Sequence, residues 1–494
     1  SQAAYHDGDD DGRILQDTII AVNETPFLDP TAAPLSSFGT DVDGASYSNV
    51  RGMLARGRHP YPSAIRVEEF LNYFDYDYPQ PRGDEPFAVS TEVGPCYWNR
   101  DHRLVRIALQ ARDVDRGDAP PANLVFLVDV SGSMSQPAKL PLLKQSMRDY
   151  VDVMRPQDRV AIVTYSGSSG LVLEPTSGAD RDDIHDAIDD LESGGSTAGA
   201  AGIELAYEVA LDNFDEGANN RVILATDGDF NVGVSSRDDL ISLIETKRDA
   251  GIYLSVLGFG HGNYQDAAME GLADNGNGNY YFIDSETEGR RVLVDKMTTT
   301  ILTVATDTKI QVGFNPEKVA AYRLIGYENR ALTTAEFDDD GKDAGDMGAG
   351  SSVTAFYEIV PAGMTIPVVA GDQRGQVEAQ DVMTFGADDL AGVRLRYKKP
   401  GGTKSRLLAT SIRQSPRGTT PSADFLFASA VAEWGLMLQG SGYAPDASVA
   451  DLMTRAEEAI RGLSGDEKRE FVRLVRDSKS FLPDLAERNR ESID

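Results

Sequence analysis

The sequence predicts an α/β fold, a doubly wound and mostly parallel sheet, inserted in a β-rich domain. Between residues 121 and 303, apolar runs of strand length alternate with amphipathic stretches of helix length. Such alternation is typical of a parallel sheet covered by helices on both faces. The flanking segments 85–120 and 306–415 instead alternate apolar and polar residues with a period of two, which indicates antiparallel strands. Helical segments are expected at both ends of the chain.

Residues 1–84 are predicted to form an acidic tail and then a helical, aromatic segment. Residues 7–12 match the opening of a calcium-binding loop, but Thr18 stands where such a loop needs a bidentate glutamate. A disordered acidic tail is therefore expected, with calcium binding as the alternative. Helices are predicted to begin at 46–51 and to cover 66–74. Five aromatic residues here are expected to pack in a core or between domains, with a binding strip as the alternative. They are Phe70, Tyr73, Phe74, Tyr76 and Tyr78.

The first part of the β-rich domain, 85–120, is predicted to contain two strands with a loop between them, because polar breaks occur at 94–95 and 99–101. The α/β region follows, and its segments are assigned by the length and period of their apolar residues. The predicted strands lie at 124–128, 159–165, 222–225, 253–258 and 279–284, and the predicted helices at 140–154, 184–191, 198–213, 237–250 and 289–303.

After residue 306 the period of two returns, and strands are predicted at 309–314, 319–327, 352–360, 391–397 and 404–412. The loop 338–346 between two of these strands carries five carboxylates in nine residues. It is interpreted as a solvated hairpin loop, with calcium binding as the alternative. The last part, 416–494, is predicted to be helical, with amphipathic stretches at 422–438, 449–462 and 465–478.

Three oxygen-bearing side chains, Asp129, Ser131 and Ser133, follow the apolar run at 124–128. Ligands of open α/β sheets bind at the carboxyl ends of such buried strands. Two further residues belong with this set. Thr197 ends a Gly-Gly-Ser-Thr segment, and Asp227 follows the apolar run at 222–225. The alternative is a turn in which Asp and Ser cap the following helix.

This set, D-x-S-x-S with a later threonine and aspartate, resembles the metal-ion-dependent adhesion site of von Willebrand factor A domains, whose fold is Rossmann-like. The resemblance implies that Ser131, Ser133 and Thr197 contact a divalent cation, and that Asp129 and Asp227 act mostly through water. The segment 25–79, TPFLDPTAAP through NYFDYDYP, is similar to the region before the A domain in the bacterial YfbK-like family. With the later segments this resemblance extends from about residue 23 to 482.

Hydroxyl and carboxylate oxygens suit a small, hard cation that keeps part of its water, so Mg²⁺ is expected, with Mn²⁺ or Ca²⁺ as alternatives. If both aspartates stay out of direct contact, as the resemblance implies, the ion is electron-poor and should take an anionic sixth ligand. An aspartate or glutamate carboxylate of a protein partner meets that need.

Composition excludes several other classes of function. The net charge of −32 argues against nucleic acid or an anionic membrane as the partner, because no basic cluster offsets repulsion from phosphate. Cys96 is the single cysteine, which excludes an intrachain disulfide and a cysteine-based metal cage. No apolar run is long enough to cross a bilayer. The G-x-x-x-x-G-K-[ST] pattern of nucleotide-binding loops does not occur.

A hydrolytic metal site would need a base beside the ion, and none of the five histidines lies in the three site segments. His261 and Asp227 are the nearest candidates. The sequence therefore favours a metal-dependent adhesion or scaffolding protein that is not an enzyme, with a metal-dependent hydrolase or an assembly factor for a partner ATPase as alternatives. The start at Ser1 indicates a removed leader or an arbitrary boundary, and we expect export to the cell envelope, at the periplasm or surface.

Overall fold

The structure is a computed structural model that describes residues 24–40, 43–195, 199–228, 237–260, 266–296, 302–342, 344–365, 383–414, 419–480 and 482. The acidic tail at 7–12, Thr197 and His261 lie outside these described residues. What the sequence predicts for them therefore stays a prediction.

The chain before the α/β domain supplies both helices and strands. Helices α1, Ala45–Ala55, and α2, Val67–Tyr73, confirm the helical prediction for this segment. They are preceded by a strand that was not predicted, β1, Leu35–Gly39, whose sequence LSSFG lacks an alternating pattern. Strands β2, Phe87–Pro95, and β3, Arg103–Ala111, form the antiparallel pair that the sequence predicts.

Among the described residues, a six-stranded sheet of order β6-β5-β4-β7-β8-β9 forms the centre of the α/β domain. Its strands are β4, Ala122–Asp129; β5, Arg159–Tyr165; β6, Ser169–Ser177; β7, Asn219–Thr226; β8, Ile252–Phe259; and β9, Tyr280–Ile283. All neighbours in this sheet are parallel except β5 and β6. Strand β6 was not predicted, because an edge strand with no buried residue lacks the apolar run of a central one.

Helices cover both faces of this sheet, which confirms the doubly wound prediction. They are α3, Leu140–Val153; α4, Arg181–Asp189; α5, Gly199–Asp212; α6, Arg237–Asp249; α7, Asp266–Asn275; and α8, Glu286–Arg290. Along β4, Phe126 packs into the core that contains Leu143 of α3, whereas Leu127 packs into the core that contains Ala206 of α5. Successive residues of a strand point to opposite faces, so both faces of β4 are buried.

The last helix that the structure describes in this domain begins before its predicted start at residue 289, and residues 297–301 of the predicted range 289–303 lie outside the described residues. Helix α8 begins at Glu286 because the Ser285 hydroxyl caps it and accepts a hydrogen bond from the Glu288 N–H. A π-helical turn, Arg291–Asp295, follows it directly.

The chain after the α/β domain confirms all five predicted strands and adds short elements. The strands are β10, Thr303–Phe314; β11, Val319–Ile325; β12, Ala331–Leu332; β13, Met347–Gly348; β14, Ser352–Pro361; β15, Asp389–Lys398; and β16, Ser405–Arg413. The loop predicted to join two strands at 338–346 instead follows a short helix, α9, Thr334–Asp338, and leads into β13. The capping box of Thr333 and Glu336 starts this helix.

These strands form a sandwich that contains chain from both sides of the α/β domain. One sheet has the order β12-β1-β10-β15-β16, with β13 paired to β10, and the other has the order β11-β14-β3-β2. Strand β3 pairs with β14 across the insertion. Ile107 from one sheet and Val312 from the other belong to one buried cluster. The α/β domain is therefore inserted in a β-rich domain, as predicted.

The C-terminal helices are α10, Ala423–Gln439; α11, Val449–Ala459; and α12, Asp466–Asp477, which confirms the helical prediction. They pack on α2, and the aromatic residues of the N-terminal segment are buried between them. The ring centroids of Phe70 and Trp434 are 5.4 Å apart, and those of Phe74 and Phe427 are 5.0 Å apart. The aromatic cluster is thus core packing, as expected, and the alternative of a binding strip is wrong.

Candidate metal centre

The candidate site lies at the carboxyl end of the central strand β4. In the parallel register, Val128 of β4 is level with Ala225 of β7, and Asp129 is level with Tyr165 of β5. The end of β4 therefore meets the ends of both neighbouring strands, and the sheet brings Asp129 and Asp227 to one edge. This placement agrees with the general position of ligand sites in open α/β sheets.

Asp129 is fully buried, and neutral groups hold its carboxylate in place. Its Oδ1 accepts a hydrogen bond from the Ser131 N–H at 2.8 Å. Its Oδ2 lies 3.3 Å from the Tyr165 hydroxyl and 3.4 Å from the Thr226 hydroxyl, and both hydroxyls donate to it. The carboxylate is therefore oriented before any ligand binds.

No lysine or arginine pairs with Asp129 in the part of the chain that the structure describes. Burial raises the pKa of this carboxyl, and the nearby negative charge of Asp227 raises it further, against the hydrogen bonds from Ser131 and Tyr165. A buried carboxylate normally has a cationic partner or a metal ion. A divalent cation at this point would supply the missing positive charge.

The two serines of the motif lie together beside this carboxylate. Their Oγ atoms are 3.0 Å apart, and Ser133 belongs to a 3₁₀ turn, Gly132–Ser135. Met134 is fully buried in the core beneath the turn and anchors it, whereas Ser133 is exposed. The turn therefore places an exposed hydroxyl, that of Ser133, beside a buried one, that of Ser131, next to the buried acid.

The Gly-Gly segment that precedes Thr197 is bonded to the same turn. The Gly194 N–H donates to the Val130 carbonyl at 2.7 Å, and the Gly132 N–H donates to the Gly195 carbonyl at 3.2 Å. Gly195 has a φ of +84°, a conformation that favours glycine. Thr197 itself lies outside the described residues, so its part in the site stays a prediction.

Asp227, the remaining predicted residue, has a cationic neighbour that the sequence analysis missed. The Lys139 ammonium donates to Asp227 Oδ2 at 2.8 Å, and the aspartate side chain is only 2% exposed. Lys139 directly precedes α3, six residues after Ser133, and nothing in that spacing indicated a contact with a strand end 88 residues away. Tyr165 and Thr226 were missed for the same reason.

The residues present fit a hard divalent cation. Ser131 and Ser133 would hold it directly, together with Thr197, and Asp129 and Asp227 would act in the outer shell. The donor set is oxygen throughout, which suits Mg²⁺ better than a softer metal. When bound, the ion would supply positive charge that attracts an anionic ligand. Their roles as metal ligands stay a prediction.

The described histidines lie away from this site. His102 Nδ1 is 2.5 Å from Glu358 Oε1 in the β-sandwich, and His185 Nε2 is 3.1 Å from Asp152 Oδ1 on the helical surface. His261, the predicted candidate base, is not among the described residues.

The acidic loop 338–346 uses its described carboxylates in other contacts. Arg396 pairs with Asp338 at 2.9 Å and with Asp340 at 3.0 Å, and Asp339 accepts a hydrogen bond from the Gly341 N–H. Across the described ranges, no three histidine, cysteine, aspartate or glutamate side chains come together in a way that could hold a metal. Within those same ranges, no helix combines the length and apolar character that crossing a membrane requires.

Comparison with known families supports this assignment of the fold. The model of the von Willebrand factor type A domain matches residues 123–296, and a model described as von Willebrand factor matches residues 16–106. The model of the C-terminal part of the uncharacterized protein YfbK matches residues 299–481. The type A match covers the segment that carries the adhesion-site motif, and the YfbK match covers the C-terminal part that resembles that family.

Two relatives match the chain over part of their lengths, and both are described as uncharacterized proteins. The protein YfbK of Escherichia coli K12 is 39% identical over 470 residues, which cover 92% of this chain and 79% of the relative. An uncharacterized protein of Synechocystis is 28% identical over 187 residues, 38% of this chain and 43% of that protein. A solved von Willebrand factor type A protein from Catenulispora acidiphila is 16% identical, with a TM-score of 0.41, over 82% of this chain and 91% of that one. The chain therefore belongs to the bacterial YfbK family of proteins with a von Willebrand factor type A domain.

Proposed function

We propose that this protein binds another protein through a divalent cation at the end of β4, and that a carboxylate of the partner completes the coordination of the ion. Mg²⁺ is the proposed ion. The proposed ligands are the hydroxyls of Ser131, Ser133 and Thr197, with Asp129 and Asp227 in the outer shell.

One observation carries the proposal. The Asp129 carboxylate is fully buried, is held only by neutral donors among the described residues, and lies beneath an exposed turn that pairs two hydroxyls 3.0 Å apart. A purely structural Asp–Ser turn would need the hydrogen bond to the Ser131 N–H. It would not need a buried negative charge without a cation, which costs several kcal/mol in a protein interior, as an order of magnitude.

A partner carboxylate is the expected completing group because of charge. Hydroxyl ligands are neutral, so an ion they hold keeps most of its double positive charge. An aspartate or glutamate side chain offers a hard anionic oxygen for the remaining position. Nucleic acid is a poor alternative, since the net charge of −32 opposes its approach.

Metal binding is tested first, with Mn²⁺ as a paramagnetic substitute for Mg²⁺. Wild-type protein should bind one Mn²⁺ that Mg²⁺ displaces, measured by electron paramagnetic resonance, and Asp129→Ala and Thr197→Ala should each lose it. Asp212→Ala removes an exposed carboxylate from α5 and should bind Mn²⁺ like the wild type. Wild-type binding that survives in Asp129→Ala would contradict the proposed site.

Partner binding is tested with the same variants. The immobilised wild-type protein should capture a protein from cells that naturally make it, in Mg²⁺ but not in excess chelator, and Asp129→Ala should capture none. Mutation of acidic residues in the captured protein then tests the carboxylate. Capture that is indifferent to chelator would refute the metal-dependent mechanism.

Catalysis and cellular location are tested separately. The protein is proposed to be a binding protein, so a screen of phosphate esters and peptides with Mg²⁺ or Mn²⁺ should give no turnover. Metal-dependent turnover lost in Asp227→Asn would favour the hydrolase alternative.

The protein is also proposed to act at the cell envelope, where the exposed turn could meet surface partners. Recovery only in the cytoplasmic fraction would contradict this location.

A further inference from the structure

The two carboxylates of the proposed cation site have different electrostatic surroundings. Asp227 Oδ2 accepts a hydrogen bond from the Lys139 ammonium at 2.8 Å, with the two side chains 2% and 13% exposed. Asp129 pairs with no basic side chain among the residues that the structure describes. A fixed positive charge therefore already lies on one of the two acids that would otherwise attract the cation.

The shape of the protein around Lys139 directs its ammonium to this position. Its side chain runs over Gly260, which directly follows β8. In the sheet, β7 lies between β4 and β8. A Cβ on Gly260 would lie 2.7 Å from Lys139 Cε and 3.5 Å from its Cγ, so a larger residue would displace the lysine. Gly260 also has a φ of +100°. The apolar stem of the lysine is thus packed while its charged end rests on Asp227.

We propose that Lys139 is a built-in counter-charge, which weakens the binding of a divalent cation in the absence of a partner and makes cation and partner binding mutually dependent. This inference rests on the proposed function of the site. With the ion bound, the charges of the ion, two aspartates and one lysine sum to +1. Without the lysine they would sum to zero.

The charge of Lys139 has two consequences. It opposes the divalent cation and changes the charge of the ion-free site from −2 to −1, so the ion alone binds more weakly than it would at the two carboxylates without the lysine. It also favours an incoming carboxylate, whose charge restores neutrality. Because binding free energies are linked, a partner that gains affinity from the ion must increase the affinity for the ion by the same factor.

The test compares Mn²⁺ binding, measured by electron paramagnetic resonance on the full chain, between the wild type and Lys139→Met. Methionine keeps an apolar stem and removes the ammonium. We expect about tenfold tighter binding of Mn²⁺ alone, since one unit charge beside a divalent ion acts on that order in a partly solvated site. Lys139→Gln, a neutral variant that can still donate to Asp227, should shift the affinity in the same direction and serves if the methionine variant does not fold.

Two controls separate charge from other effects. Lys139→Arg keeps the charge and should bind Mn²⁺ like the wild type. Lys144→Met removes a lysine of helix α3, which Lys139 directly precedes. The Lys144 ammonium donates instead to the carbonyls of Asp189 and Leu191, at 2.9 and 3.0 Å. It changes the net charge equally and should leave Mn²⁺ affinity unchanged.

The possible failures are distinguishable. If the neutral Lys139 variants bind Mn²⁺ equally or more weakly than the wild type, while Asp129→Ala still abolishes binding, the counter-charge is refuted and the proposed function stands. If neither the wild type nor any variant binds Mn²⁺, the proposed function is refuted, and this inference with it. If Lys144→Met tightens binding as much as Lys139→Met, overall charge explains the effect and the counter-charge is refuted.

Discussion

Replacing Glu68 by glutamine should stabilise the protein in weakly alkaline solution and change its stability much less in weakly acidic solution. Glu68 lies in helix α2 and is 4% exposed. Burial, and then the negative charges of Glu328 and Glu69, raise the pKa of its carboxyl from 4.5 to about 7. The close contact with Gly326, where a Cβ would lie 2.5 Å from Glu68 Oε2, leaves little room for solvent.

The direction of this pH dependence follows from the pKa of Glu68, which is 4.5 in the unfolded chain and about 7 in the folded protein. The folded protein keeps a proton on Glu68 that the unfolded chain loses between pH 4.5 and pH 7, so stability falls as the pH rises through this interval. The full loss is about 3 kcal/mol, of which about a quarter is reached at pH 5 and nearly all at pH 8. Glutamine does not ionise. Between pH 5 and pH 8, the free energy of unfolding of Glu68→Gln should therefore rise by about 2–3 kcal/mol relative to that of the wild type.

The chain offers a local probe for this measurement. Trp98 and Trp434 are its two tryptophans, and both lie in the buried cluster that contains Phe70 and Leu71 of α2. Urea denaturation followed by tryptophan fluorescence at pH 5 and pH 8 therefore reports the unfolding of this core. Glu317→Gln removes an exposed glutamate and serves as the control. The reasoning is refuted if Glu68→Gln and the wild type differ by the same amount at both pH values.

Three further substitutions test other parts of the structure. Arg51→Met leaves the buried Asp284, 2.5 Å from the guanidinium, without this partner, and should cost about 3–5 kcal/mol in urea denaturation; a cost below about 1 kcal/mol would contradict it. Burial alone would raise the pKa of Glu288, but the positive charges of Arg291 and Arg51 outweigh burial and lower this pKa to about 2. The stability that the Glu288 carboxylate contributes is therefore present above pH 4.5 and is lost as the pH falls toward 2. Glu288→Gln should therefore be destabilised more at pH 7 than at pH 3, and an equal effect at both would be inconsistent. Gly260→Ala, at a φ of +100°, should lower the melting temperature by a few degrees, from about 1 kcal/mol of strain, whereas an unchanged value would show that the backbone tolerates a side chain.

Much of the candidate site could be predicted because its signals are local. Asp129, Ser131 and Ser133 follow an apolar run directly, and such a run is typical of a buried parallel strand. The structure places the described members of the predicted set at one edge of the sheet. Lys139 could not be predicted, because its contact with Asp227 depends on the start of α3 lying near the end of β7 and on the space left by Gly260.

The strands and helices also divide into those that local sequence patterns predict and those that depend on distant residues. The long strands and helices were predictable from period and length, but β1 and β6 were not. Strand β1 is five residues long and is held by pairing with Lys309 to Gly313 of β10, about 270 to 280 residues away, rather than by its own pattern. Likewise, the sequence alone does not decide whether the aromatic residues of segment 66–78 are buried. Helices α10 and α12 cover them in the structure.

The sequence by itself determined the α/β centre, the β-rich flanks and the cation motif, because each depends on the periodicity or order of neighbouring residues. Tertiary structure alone decided that β1 joins the sandwich, that Asp129 is buried among neutral donors, and that Lys139 lies on Asp227. These features join residues distant in the chain, and their contacts arise from packing and desolvation, which no local pattern records.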